Sequence, residues 1–278
     1  MILSRDCCLE GQNALSTTKI STSIPSQEDA ARILIVRLSA HGDVVQTLPL
    51  LAAIKASRPN ALVGWLVEED AAPLLQHHPL IDQLHISSRK RWLRQAKNPL
   101  NWPRIGQEVH LFLQELKAAD YQIAFDVQGL LKSAVWPYLA KIPFRYGYQA
   151  TREWADRFYN RLLPPMEIRD GGTSAVSRYL DFARAIHCPV EKPQFVLPNL
   201  PETQRQAFDS RLQATNKQAQ WPRVVLAPFT RWVSKHWPAH YWSRLIELLS
   251  PLEVQLILVG APGDTMAADA ILQAAGRP

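Results

Sequence analysis

Apolar and polar positions follow one another in a repeating order along most of the chain. The run Ile33-Leu34-Ile35-Val36 is continuously apolar, as in a strand buried on both faces, and a small-residue turn then leads into apolar positions at helical spacing over 43–57. The same succession predicts strands at 61–67, 83–86, 121–125 and 144–148, helices at 129–139 and 172–186, and a basic loop after the third strand. Thr173 or Ser174 would cap the second of those helices. Strands that alternate with helices form a parallel sheet covered on both faces, so residues 32–190 read as a Rossmann-like lobe.

A polar helix flanked by Pro193, Pro198, Pro201 and Pro222 marks 191–222 as a linker. Beyond it, strands at 224–227 and 254–259 alternate with helices at 239–249 and 264–275, giving a second α/β lobe over 223–278. Two strand–helix units make only about half of a doubly wound lobe, so this second lobe is expected to be incomplete. Residues 1–31 become Ser/Thr-rich, lack the pattern of a secretory signal, and are expected to form a disordered extension.

Composition narrows the classes. A chain of 278 residues with 47% hydrophobic and 20% charged content is globular, which excludes collagen, coiled coil and general disorder. No apolar run approaches the roughly 20 residues of a membrane-spanning helix. Cys7, Cys8 and Cys188 are too few for a disulfide framework and provide no four-ligand zinc set, which fits a reducing, cytoplasmic setting. His77, His78 and His110 lack an H-E-x-x-H pattern and are assigned no metal role. The net charge of +6 favours anionic partners without choosing among them.

The segment Arg37-Leu38-Ser39-Ala40-His41-Gly42-Asp43-Val44-Val45-Gln46-Thr47-Leu48-Pro49 is the most informative. It joins the first parallel strand to a helix start, which is where open α/β sheets place ligands. Gly42 permits close approach, and Asp43 reads either as a helix-capping carboxylate or as a chemical group. Neither G-x-G-x-x-G nor G-x-x-x-x-G-K-[ST] is present, which argues against dinucleotide and P-loop sites. The stretch from Arg89 through Lys90, Arg91, Trp92 and Arg94, with Lys97 and Arg104 beyond, has no acid between Asp82 and Glu108. It reads as a solvated face or as a surface for an anionic ligand; Trp92 and Trp102 would suit a sugar, a base or a membrane surface. No nucleic-acid fold signature accompanies it, so no nucleic-acid partner is expected.

Four collinear segments resemble glycosyltransferase family 9, the lipopolysaccharide heptosyltransferases, and among them the heptosyltransferase I branch. They are L-S-A-H-G-D-V-V-Q-T-L-P at 38–49, D-V-Q-G-L-L-K-S at 126–133, Arg152-Glu153 with F-Y-N-R at 158–161, and T-R-W-V-S-K-H-W-P at 230–238. The resemblance implies a GT-B fold of two Rossmann-like α/β lobes with parallel sheets. It also implies inverting, metal-independent transfer without a cofactor, from an ADP-heptose-like nucleotide-sugar donor to an anionic lipid or lipopolysaccharide-core acceptor, with peripheral contact at the cytoplasmic membrane face.

By that resemblance Asp43 is the general base, and Thr230, Arg231 and Lys235 bind the donor diphosphate, Lys235 foremost. Gly42, Arg89, Lys90, Arg91, Arg94, Asp126, Gln128 and Lys132 fall on the acceptor side. Asp126 also reads as a loop-bracing carboxylate, and Arg152 with Glu153 as an intramolecular pair. The family's D-[ST]-G-x-x-H segment has no counterpart here, so a truncated family member is expected. The alternative is a non-catalytic fragment that binds a sugar phosphate or a lipopolysaccharide precursor.

Overall fold

The computed structural model describes residues 31–165, 174–215, 221–230 and 233–276, and these separate into two compact units divided after Asn199. In the first unit six strands form one parallel sheet: β1 (Arg32–Val36), β2 (Leu62–Glu68), β3 (Gln83–Ser87), β4 (Ile123–Asp126), β5 (Phe144–Tyr148) and β6 (Arg161–Leu163). Their order is β3-β2-β1-β4-β5-β6. The chain therefore builds outward from β1 in one direction and from β4 in the other. The carboxyl ends of those two strands flank the point where the winding reverses, and an open parallel sheet carries its crevice there.

The continuous apolar run of β1 follows from burial on both faces. Ile33 and Ile35 pack with Val44, Leu48 and Leu51 of α1 (His41–Ser57) and with Tyr179 and Phe182 of α5 (Ala175–Tyr179) and α6 (Asp181–Ala185). Leu34 and Val36 point the opposite way, toward Trp92 of α2 (Arg89–Gln95), Phe112 and Leu116 of α3 (Trp102–Ala118) and Trp136 of α4 (Leu131–Leu139). The period-2 alternation of a strand thus divides one sequence run between two cores.

Several predicted elements differ from those observed. The basic stretch after β3 is helix α2 rather than a loop, because Glu68, Glu69 and Asp70 at the end of β2 neutralise it. Helix α3 and strand β6 were not predicted. The helix expected at 172–186 is two short helices meeting at Leu180, with Ser174 capping the first through a 3.2 Å bond from Ser177 N. Thr173 lies outside the described residues, as do 1–30 of the expected N-terminal extension; Ala31 is buried in the core.

A buried polar relay ties β3 to α3. The His85 ring is fully buried; Nδ1 lies 2.5 Å from Glu115 Oε1 and Nε2 lies 2.8 Å from the Tyr121 hydroxyl. Desolvation holds the imidazole below its ordinary value of 6.5. A neutral ring donates from Nδ1 to Glu115 and accepts from Tyr121. Tyr121 crosses directly over Gly64, where a Cβ would sit 1.8 Å from its hydroxyl oxygen, so β2 needs glycine there.

The second unit pairs β7 (Arg223–Leu226) with β8 (Gln255–Leu258) in parallel. Leu226, Ile246 of α8 (Ala239–Leu249) and Ile271 of α9 (Thr265–Ala274) form its small core, and α7 (Glu202–Thr215) precedes them. Among the described residues its sheet has these two strands.

Candidate active site

The turn after β1 brings Asp43 to the third position of α1. Its Oδ2 accepts from Ala40 N at 3.4 Å, a loose capping bond, and is also gripped by the guanidinium of Arg37. Both contacts fall on one oxygen, which leaves Oδ1 without a protein partner among the described residues. The Asp43 side chain is 42% exposed, whereas that of Arg37 is buried. Arg37 is itself held by a 3.0 Å bond to Val127 O and lies 5.2 Å over the Tyr179 ring. Helix capping and an available carboxylate are thus both realised at Asp43.

The loop after β4 braces the same turn. Asp126 is 1% exposed and accepts from Gln128 N at 3.0 Å, Gly129 N at 3.1 Å and the Tyr159 hydroxyl at 2.6 Å. Burial pushes the Asp126 carboxyl up despite these donors, and burial beside that carboxylate pushes the Tyr159 phenol up as well. Tyr159 fits because residue 147 is glycine; a Cβ there would lie 2.1 Å from the ring. Gln128 Oε1 accepts from Leu38 N at 2.8 Å and Ser39 N at 3.3 Å. Its amide nitrogen is left as the donor for a ligand.

The two loops border an open cavity of about 730 Å³ contained wholly in the first unit. Asp43, Gln128 and Lys132 line it with Arg37, Arg152 and Arg178, so four cations face one carboxylate. Lys132 donates to Ser39 Oγ at 3.1 Å, and partial burial holds its ammonium below the ordinary lysine value. An anionic ligand would relieve that excess of positive charge.

The remaining sequence-derived residues fall elsewhere. Asp126 braces the loop from below and does not line the cavity. Gly42 is exposed at the helix start, with open space where a Cβ would stand. Arg89 and Lys90 pair with buried Glu68 at 3.0 and 3.1 Å, Lys90 also meets Asp70 at 2.6 Å, and Arg91 reaches Glu69 and Glu108. Trp92 is buried and donates to Glu108 at 2.8 Å, which removes it from any surface role. Arg94 stays exposed. Glu153 accepts from Leu131 N at 3.2 Å, whereas Arg152 lines the cavity.

In the second unit Lys235 is exposed in a short 3-10 turn after β7, and Thr230 O lies 2.7 Å from His236 Nε2. Arg231 lies outside the described residues. Sequence reasoning missed Arg37, Arg178 and Tyr159 as parts of the site. The available signal for Arg37 is a charged residue directly after the apolar run 33–36, six residues before Asp43.

Comparison with known proteins points to one family. Residues 109–276 match glycosyltransferase family 9 (heptosyltransferase). Lipopolysaccharide heptosyltransferase 1 of Pseudomonas aeruginosa is 35% identical over 220 residues, which cover 78% of this chain and 57% of that protein. The chain therefore spans little more than half the length of that relative. The structure of Escherichia coli heptosyltransferase WaaC with ADP superposes with a TM-score of 0.68 at 27% identity, covering 87% of this chain and 72% of that one. The same enzyme with ADP-2-deoxy-2-fluoro heptose gives 0.65 at 25% identity, covering 87% and 73%.

Proposed function

We propose that this chain, which belongs to glycosyltransferase family 9 (heptosyltransferase), moves a heptose-type sugar from an ADP-heptose-like donor to an anionic lipopolysaccharide inner-core acceptor. The observation that carries the reading is Asp43, with one carboxylate oxygen pinned by Arg37 and the other available beside a cationic cavity. Oδ1 takes the proton of an acceptor hydroxyl as that oxygen bonds to the anomeric carbon. The bond from that carbon to the diphosphate breaks on the opposite face, which inverts the centre. Lys132, Arg152 and Arg178 hold acceptor phosphates or carboxylates, and the Gln128 amide orients a hydroxyl.

Charge on the departing diphosphate falls to Lys235, Thr230 and Arg231, whose cationic and hydroxyl groups do the work a divalent ion does elsewhere. The structures of one relative, Escherichia coli heptosyltransferase WaaC, with ADP and with a fluorinated ADP-heptose support the donor class. A lipid acceptor places the working position of the chain at the cytoplasmic membrane face. Among the described residues no helix is long and apolar enough to cross a membrane.

The test is transfer from ADP-heptose to a Kdo-lipid acceptor by the wild type and Asp43→Asn, with acceptor affinity measured alongside. Asp43→Asn should lower turnover about 100-fold to 10,000-fold and leave acceptor affinity within about twofold. A second reading, acceptor binding without transfer, draws on the confinement of the cavity to the first unit. Binding with no turnover in the wild type would select it.

A further inference from the structure

The helical hairpin formed by α2, the turn at Pro99–Asn101 and α3 ends in an apolar tip that nothing covers. Leu100 is 86% exposed, Trp102 60% and Leu93 58%. Exposed apolar side chains are ordinary when scattered, but these cluster within ten residues and are fixed in place. Asn98 Oδ1 accepts from Leu100 N at 3.1 Å, Asn101 Nδ2 donates to Gln95 O at 3.1 Å, and the Trp102 indole donates to Ala96 O at 2.9 Å. Three side-chain bonds thus close the turn, and the exposure belongs to an ordered surface.

Charge says what the tip meets. From 83 to 107 the chain has six lysines and arginines and no acid. Those nearest the sheet, Arg89, Lys90 and Arg91, are consumed by Glu68, Glu69, Asp70 and Glu108. Those at the tip are Arg94, Lys97 and Arg104, all exposed, and of these Arg104 alone has an ion pair among the described residues, with Glu108. An indole and two leucines flanked by cations have the composition of an interfacial anchor: apolar groups enter the boundary of the acyl chains while the cations stay with anionic headgroups. A protein partner for this surface would have to be both apolar and strongly acidic; a bilayer containing anionic lipid meets both demands at once.

We infer that the 93–104 tip docks the chain on an anionic bilayer surface through Leu93, Leu100 and Trp102, with Arg94, Lys97 and Arg104 on the headgroups. The inference rests on the proposed function only in supposing that a lipid-borne acceptor brings the chain to a membrane. Helix α2 begins at the carboxyl end of β3, the same sheet edge on which Asp43 and Gln128 stand after β1 and β4. A docked tip therefore holds the cavity-bearing edge near the surface from which an acceptor would rise.

The experiment is co-sedimentation of the chain with phosphatidylcholine vesicles, with and without about one third phosphatidylglycerol and free of any lipopolysaccharide lipid. The wild type should bind the anionic vesicles, with affinity falling as salt rises, and bind the neutral ones far more weakly. Leu93→Ser/Leu100→Ser should bind about tenfold more weakly or worse while melting as the wild type does. Should that variant fail to fold, Lys97→Gln serves in its place, with about a fivefold loss. A wild type indifferent to anionic vesicles, or variants that bind as tightly, would overturn the inference, as would a concentration-dependent dimer that the leucine variant dissolves. Turnover on a deacylated, soluble acceptor separates this from the proposed function: the leucine variant should keep it, and its absence in the wild type would count against the transferase reading alone.

Discussion

Arg37 holds Asp43 by one carboxylate oxygen, and it does so from inside the protein: the guanidinium is buried, while the carboxylate it grips is 42% exposed. The pair is therefore a mount, with the fixed partner below and the exposed carboxylate at the cavity wall. Arg37→Gln should lower turnover about 100-fold, the usual cost of a misplaced group, with acceptor KM little changed. Arg37→Lys should recover part of that, because it restores the charge but not the simultaneous bond to Val127 O. Stability should fall by only about 1–2 kcal/mol, since Asp43 can turn to water; steady-state kinetics and urea unfolding on both variants check this.

Tyr159 supports the site at one remove. Tyr159→Phe leaves the buried Asp126 short of one donor and should cost about 1–3 kcal/mol. Gly147→Ala drives a methyl into the Tyr159 ring and should cost at least as much, with a drop in turnover as the Gln128 loop shifts. Thermal melts and turnover on both would show whether the two losses travel together. A Gly147→Ala protein with wild-type activity would separate Tyr159 from the site.

His85 gives the stability curve an acid limb. Its folded-state value lies below the ordinary 6.5, so on acidification the unfolded chain takes up the proton first. Its contribution is present above about pH 6.5 and is lost as pH falls through the lower folded value. His85→Gln should be less stable at neutral pH yet lose less stability between about pH 6.5 and 5. Denaturant titrations across that interval measure both slopes.

In the proposed reaction Lys235 is the donor-side cation that lies among the described residues. Lys235→Ala should weaken ADP binding about tenfold to 100-fold in calorimetry, the scale of one charge-assisted phosphate contact. If side chains meet the charge of the departing diphosphate, as proposed, wild-type turnover should survive EDTA. A strict requirement for added divalent ion would refute that assignment.

Most of the framework was legible in the sequence. The bounds 144–148 and 239–249 read from the sequence match those observed, and the other strands read from it lie within two residues at each end, while β6 has no counterpart among them. Continuous apolar runs are produced by burial on both sheet faces, so they carry their own explanation. Helix α3 carries Ile105, Val109, Phe112, Leu113 and Leu116 at helical spacing, all packed on the sheet, so its signal is present in the sequence but is interrupted by the exposed apolar Trp102 and Leu111 and overshadowed by the basic run before it. The basic run looked solvated because its counter-charges, Glu68 to Asp70, lie about twenty residues upstream and approach only once β2 and β3 pair. Asp43 was legible from its loop. Arg37, Arg178 and Tyr159 were not, since what makes them part of a site is a fold that brings β1, β4, β5 and α5 to one edge.

The direct pairing of β1 with β4 has a mechanical consequence. Val36 is the register partner of Asp126, so the two loops that build the site leave neighbouring strands from the same rung of the ladder. Any flexing of the sheet moves both loops in common, and the separation of Asp43 and Gln128 is set by the rigid backbone spacing of neighbouring strands. Helices on either face can drift in sequence and alter how long the protein lasts without detuning the reaction. Tolerance to mutation should accordingly be high across the outer faces and end abruptly at this one seam.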